Sequence, residues 1–201
     1  MFRAPLPLST PAIVLVCASP IWLQAKPTTD ASPKALLEQG LHELMQIADN
    51  EKGSSPVHLA KKVRPTLERF FSFEGLTKRA IGQGWKELSA DQQKQAVTLF
   101  SEILIRSYAA RFDWNNKLEI QFASPVDLGN GRVEVPATSR YAGNTVNVVY
   151  RMEQSTNGWA VYDVVIEGVS MSANYRAQFD SVRQKSGVDG LIKSMQDNLK
   201  P

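Results

Sequence analysis

Histidine and cysteine are almost missing from this 201-residue chain, which holds two histidines, His42 and His58, and one cysteine, Cys17. The His/Cys spacing that holds zinc is therefore absent. Also lacking are a glycine-rich phosphate loop, a G-x-S-x-G elbow and an H-E-x-x-H pair, so the common signatures of nucleotide, serine-hydrolase and metalloprotease chemistry are excluded. Charge of one sign is scarce as well. The net charge is +3 and the pI about 9.0, with Lys and Arg scattered and no basic patch interleaved with aromatics. Nucleic acid is not an expected partner, although weak attraction to anionic membrane surfaces or acidic partner rims fits. No apolar run is long enough to span a bilayer: Ile13 to Ala18 is short and Pro5, Pro7, Pro11 and Pro20 surround it. Internal repeats and low-complexity tracts are absent.

What remains is ordinary for a soluble globular protein, with 43% hydrophobic and 21% charged residues, in a length suited to one domain with a real core. The N-terminus reads as a secretory leader over residues 1–25. Arg3 is its only charge, the apolar core follows, and Leu23-Gln24-Ala25 offers a small residue for cleavage near Ala25. Cys17 falls within this leader. Val16 stands where lipidation would need a small residue, so a lipoprotein is not expected. The mature chain then has no cysteine and no disulfide, and depends on its core. Residues 26–32 read as a linker and 33–201 as the folded domain.

The domain divides into a helical part at 33–115, an antiparallel sheet at 116–168 and closing helices at 169–199. Ser32 is placed to cap a helix with Pro33 in its first position. Leu37, Leu41, Leu44, Met45 and Ala48 then form an amphipathic stripe that ends at Gly53-Ser54-Ser55-Pro56. Short helical pieces follow, interrupted by Pro65, Gly75, Gly82 and Gly84. Ser89 with Gln92 is a capping box opening the strongest helix, which runs to about Phe112. Val97, Phe100, Leu104 and Tyr108 line one face of it, widened by Leu99, Ile103 and Phe112. So broad a stripe must be covered.

From Leu118 the period becomes two, with Leu118, Ile120 and Phe122 alternating with Glu119 and Gln121. Gly129-Asn130-Gly131, Gly143-Asn144 and Asn157-Gly158 are turns between successive strands, which predicts an antiparallel meander of four strands. Its last strand flows through Gly168 into a helical period marked by Met171, Tyr175 and Phe179. Two closing helices are expected, Ser170 to Lys185 and Val188 to Leu199, parted at Gly187. The fold class is α+β: a curved four-stranded sheet covered by several helices, a shape similar to nuclear-transport-factor-like folds, which encloses an apolar cavity.

Asp163 and Glu167 are the one acidic pair with a candidate chemistry. Four apart in a strand, they share a face and could act as acid and base, as in isomerases of similar fold. The alternative places Asp163 on the outer face and Glu167 at the strand end, capping the next helix or pairing with Arg176. The lack of a histidine or further acid as partner favours the alternative. Tyr162, Val164 and Ile166 then face inward. His42 and His58 read as surface or half-buried helix residues, and periodicity cannot tell which aromatics are core and which are cavity wall.

The run Trp159, Val161, Tyr162, Asp163, Val164, Ile166, Glu167, Gly168, Val169, Ser170, Met171, Asn174, Tyr175, Arg176, Gln178 and Phe179 resembles, without a gap, the C-terminal signature of the MlaC (toluene-tolerance auxiliary) family of periplasmic phospholipid-binding proteins. Ile81-Gly82 with Trp85 is similar to that family's L-G-x-x-W, in an altered version, and Phe100 to Tyr108 to its F-x-x-L-L-x-x-x-Y helix. The resemblance covers about residues 34 to 196. It implies a phospholipid carrier, not an enzyme, without cofactor or metal, and a monomer. Such a carrier would exchange lipid with an inner-membrane ABC transporter complex and an outer-membrane lipoprotein, maintaining outer-membrane lipid asymmetry. A hopanoid or other hydrophobic-ligand carrier of the same family is the second expectation, and an isomerase-type enzyme the third. The resemblance implies a lipid-lining set of Trp85, Phe100, Leu104, Tyr108, Tyr150, Tyr162, Val164, Ile166, Val169, Met171, Tyr175 and Phe179, with Arg140, Arg151, Arg176 and Arg183 as partner or rim contacts.

Overall fold

A computed structural model describes residues 32–112 and 116–200; the leader and most of the linker lie outside the described residues. Five α-helices appear among them: α1 (Pro33–Asn50), α2 (Pro56–Phe70), α3 (Phe73–Ile81), α4 (Ala90–Ala109) and α5 (Met171–Asp197), with a 3-10 segment at Gly82–Glu87. Each of the five starts on a serine, Ser32, Ser55, Ser72, Ser89 or Ser170, whose side chain accepts from a backbone N–H of the first turn. A cap of this kind contributes about 1 kcal/mol. The Ser89–Gln92 capping box is complete, and Pro33 and Pro56 occupy first-turn positions where a missing N–H costs nothing.

Two expected breaks do not occur. Helix α2 runs through Pro65, whose ring is exposed, because Leu59, Val63, Leu67 and Phe70 on its other side pack inward. Gly75 lies in the first turn of α3, where a Cβ would stand 2.7 Å from the capping Ser72 hydroxyl. The chain does turn at Gly82, which ends α3 at φ 63. It turns again at Gly187, φ 66, where α5 breaks and folds back.

The sheet has six strands, not four: β1 (Glu119–Phe122), β2 (Val126–Gly129), β3 (Arg132–Tyr141), β4 (Asn144–Ser155), β5 (Gly158–Ile166) and β6 (Val169–Ser170). The order is β1-β3-β4-β5-β6, with β2 also on β3 and all pairings antiparallel. Both additions have a local cause. The edge position beside β3 is split at Ser124-Pro125, since proline cannot donate to the ladder; β1 opposes one end of β3 and β2 the other. Every residue of β2 is exposed, so it carries no alternating pattern. At the opposite edge the Glu167-Gly168 turn, with φ 48 and 78, folds two residues back as β6. Both angles are left-handed, as a two-residue hairpin turn demands.

Strand β5 contains a bulge. Arg151 pairs with Asp163 but its neighbour Met152 pairs with Val161, leaving Tyr162 as the extra residue. Tyr162 and Asp163 thereby share the face away from the α1–α2 side. The two acids are thus separated. Asp163 is 3% exposed; it accepts from Ser170 Oγ at 2.6 Å and Ser172 N–H at 3.0 Å, with Arg151 at 3.6 Å. It, and not Glu167, secures the start of α5. Glu167 accepts from the Asn147 N–H on β4 and makes no pair with Arg176, correcting the expectation on both counts. Asp163→Ala should cost about 1–3 kcal/mol, because it strands the buried Ser172 N–H and the Ser170 hydroxyl, while Arg151 keeps Glu134. Asp163→Asn, which keeps one acceptor, should cost less. Denaturant melts of the two variants check this, and equal stability of wild type and alanine variant would refute it.

Helices and sheet meet in two kinds of interior. Beyond the sheet, α3, α4 and α5 build a solid core around Ile81, Trp85, Phe100, Leu104 and Leu191. Helices α1 and α2 cover the inner sheet face, where Val133, Val135, Val148, Met152, Val161 and Val164 point toward Leu36, Leu37 and Phe70. Arg64 on α2 ties this pair to α4 through Glu102, which Arg106 also holds. Burial alone would raise the Glu102 pKa, but the hydrogen bond from Arg106 and the charge of Arg64 outweigh it and hold the carboxyl below its ordinary range.

Candidate functional site

Between the α1–α2 pair and the inner sheet face the packing fails to close. A cavity of about 430 Å³ remains, within the 300–1,000 Å³ usual for ligand sites. Leu41, Leu44 and Met45 of α1, Val63 and Leu67 of α2, and Ile120 and Phe122 of β1 all point into it. These side chains face inward and yet are only half-buried. In a close-packed interior they would be sealed; here their remaining surface is cavity surface. The opening continues between α1 and β1, beside Glu38, His42 and Gln121.

Among the described residues no charged side chain lines the cavity, and the only polar ones are Ser139 and the phenols of Tyr108 and Tyr150. Tyr150 stands on β4 in the row between Val135 and Val164, its ring 5.7 Å from that of Phe122. The residue is half-buried, and its hydroxyl, which makes no hydrogen bond to another described residue, is left to the contents of the cavity. Burial, and secondarily Tyr108, push its pKa up to about 12. Tyr108 on α4 is 46% exposed and sits at the rim; burial of its inner side raises its pKa too, with Tyr175 adding and Arg111 opposing.

Of the expected lining set, the structure brings together Leu104, Tyr108, Tyr150, Val164, Ile166 and Met171. It places the others elsewhere. Trp85 packs against Ile81, Leu88 and Leu191. Phe100 is fully buried with Tyr175 and Phe179 edge-on to it at 4.8 and 5.3 Å, so these three rings fill the solid core. Tyr162, moved across the sheet by the bulge, lies under the Arg79 guanidinium, 4.0 Å from ring centre to carbon. Val169 is 60% exposed in the β6 hairpin.

The four arginines also divide. Arg140 is exposed near the end of β3. Arg151 pairs with Glu134 at 2.9 Å on the outer sheet face, Arg176 donates to the Arg79 carbonyl at 2.8 Å, and Arg183 pairs with Glu87 at 2.8 Å. Arg176 and Arg183 run across Gly82 and Gly84, and a Cβ on Gly84 would stand 2.5 Å from Arg183 Cδ. These glycines serve close packing of α5. His42 and His58 are both exposed helix residues, bonded to Gln46 at 3.0 Å and Glu51 at 2.8 Å. The walls contributed by α1 and α2 were absent from the expected set; the signal was the leucine stripe at Leu37, Leu41 and Leu44.

Among the described residues no group of three or more His, Cys, Asp or Glu side chains could hold a metal ion. No described helix is long and apolar enough to cross a membrane. The family model for the MlaC protein matches residues 38–197. This chain belongs to the MlaC family. A relative from Haemophilus influenzae, the intermembrane phospholipid transport system binding protein MlaC, is 27% identical over 177 residues, covering 84% of this chain and 83% of that protein. A solved structure of the phospholipid-binding protein from Ralstonia solanacearum, in complex with a phospholipid, superposes with a TM-score of 0.76. That protein is 27% identical to this one, and the match covers 84% of this chain and 97% of the other. Family membership accounts for the α+β fold, and the cavity is where this member leaves space.

Proposed function

We propose that the protein is a soluble phospholipid carrier, with the acyl chains held in the cavity between α1, α2 and the inner sheet face and the headgroup left in water. The observation that carries this reading is a half-open cavity, without a charged side chain among its described lining, in a chain of this family. Burying one methylene contributes about 0.8 kcal/mol, so two chains with ~30 methylenes represent on the order of 24 kcal/mol. A free phospholipid cannot cross an aqueous compartment against such a cost, and a carrier need only hide the tails. The compartment is the periplasm. Lipid is exchanged there with an inner-membrane ABC transporter complex and an outer-membrane partner, which maintains outer-membrane lipid asymmetry. No covalent chemistry is required. An isomerase role for Asp163 has no support, since that carboxylate is held by Ser170 and Ser172 on the face opposite the cavity.

Native mass spectrometry of the protein purified from cells, followed by extraction of its lipid, tests the proposal. An adduct of phospholipid mass is the expected result, and a triterpenoid mass would replace it with the hopanoid reading. Ligand-free protein that also refuses phospholipid from vesicles would overturn both.

A further inference from the structure

We infer that Tyr150, with Tyr108 at the rim, forms a polar station within the cavity that donates hydrogen bonds to the ester carbonyl oxygens of a diacyl lipid. The inference rests on the phospholipid reading and deepens it, by assigning where along the lipid the protein makes its polar contact.

Tyr150 is a half-buried phenol on the cavity wall whose hydroxyl makes no hydrogen bond to another described residue, so its polar contact is made with whatever fills the cavity. It projects from the middle of β4, away from the strand ends, into a wall otherwise built of Phe122, Val148, Val164 and Ile166. No described protein group satisfies it, so water does in the empty cavity and the occupant does in the filled one. A phenol with so high a pKa stays protonated throughout the physiological range and acts as a donor. The complementary group is therefore an oxygen that accepts and carries no full charge. A phosphate does not fit, because among the described residues no cationic side chain lines the cavity and burying an unpaired anion is far too costly. A purely hydrocarbon polycycle offers no acceptor at all. A glycerolipid offers two ester carbonyls at the point where its hydrocarbon ends, and the two phenols lie one inside the cavity and one at its rim. That spacing along the path of a tail from interior to solvent leaves the phosphate outside, in water.

The test compares two phosphatidylethanolamines that differ only in this feature, dipalmitoyl with ester links and dihexadecyl with ether links. Wild type is expected to prefer the diester by about 3–10-fold, as one or two neutral hydrogen bonds would give. In Tyr150→Phe the preference should fall to near unity through weaker diester binding, while the ligand-free variant melts close to wild type, since the hydroxyl it lacks makes no hydrogen bond to a described residue. Tyr108→Phe should reduce the preference in part. Equal binding of the two lipids by wild type, or a preference that survives in Tyr150→Phe, would overturn the station and leave the carrier reading intact. Failure of wild type to bind either lipid would overturn the carrier reading, and the station with it.

Discussion

Leu44→Asp should empty the protein of lipid and leave it folded. Leu44 lies on α1 with its side chain half-buried and directed into the cavity, so in the ligand-free protein an aspartate there still reaches cavity water. The cost to folding is limited to the partial burial of one leucine and a small loss of helix propensity, together about 1–2 kcal/mol. With lipid bound, the same carboxylate would face hydrocarbon without a partner. Desolvating it, or protonating it to avoid desolvation, costs several kcal/mol, so affinity should fall by roughly 100-fold or more. Displacement of a fluorescent fatty-acyl probe measures the affinity, and circular dichroism on heating checks the fold. Leu44→Met, which keeps an apolar side chain of similar volume, should bind nearly as wild type. An aspartate variant that retains full affinity would show that the tails lie elsewhere. Val164 is a poorer place for the charge. It lines the cavity but is also 6% exposed within the cluster of Val135, Met152 and Val161, so a carboxylate there would break the sheet core and confuse the two effects.

That contrast shows what could and could not be read from the chain. The caps at Ser32 and Ser89, the meander from Leu118 onward and the break at Gly187 were legible, because each depends on a few neighbouring residues and on period. The leucine stripe of α1 was visible too, but not that it faces empty space. A wall and a core are equally apolar, and only the half-burial of Leu41, Leu44 and Met45 in three dimensions separates them. The bulge at Tyr162 was illegible for another reason. A strand of Val, Tyr, Asp, Val and Val alternates equally well in either register, and the shift is set by pairing with Arg151 and Met152 on β4. One unseen residue moved Tyr162 from an expected wall to the outer face and made Asp163 the support for α5. The close approach of Arg183 to Gly84 spans 99 positions and leaves no local trace.

Phe100→Ala should have the opposite signature, a large loss of stability with little change in lipid affinity. The ring is completely buried between Tyr175 and Phe179, edge-on to both, and belongs to the cluster of Leu76, Ala80 and Leu104 in the solid half of the domain. Truncation leaves a cavity that Leu76 and the two flanking rings cannot fill, and it removes two aromatic contacts. Substitutions of this type cost about 3–5 kcal/mol, a large part of the ~5–15 kcal/mol that holds a typical domain together. For a domain of this size the melting temperature should drop by roughly 6–20 °C. Phe100 does not line the cavity, although its neighbours Leu76 and Leu104 do, so coupling through these two is limited and, at a temperature where the variant is still folded, its lipid affinity should stay within about 10-fold of wild type, far short of the effect on stability. A probe titration at low temperature beside a thermal melt reads both quantities. A stable Phe100→Ala protein that fails to bind lipid would place the tails between α4 and α5 instead, and would move the binding site from the inner sheet face into what is here the solid core.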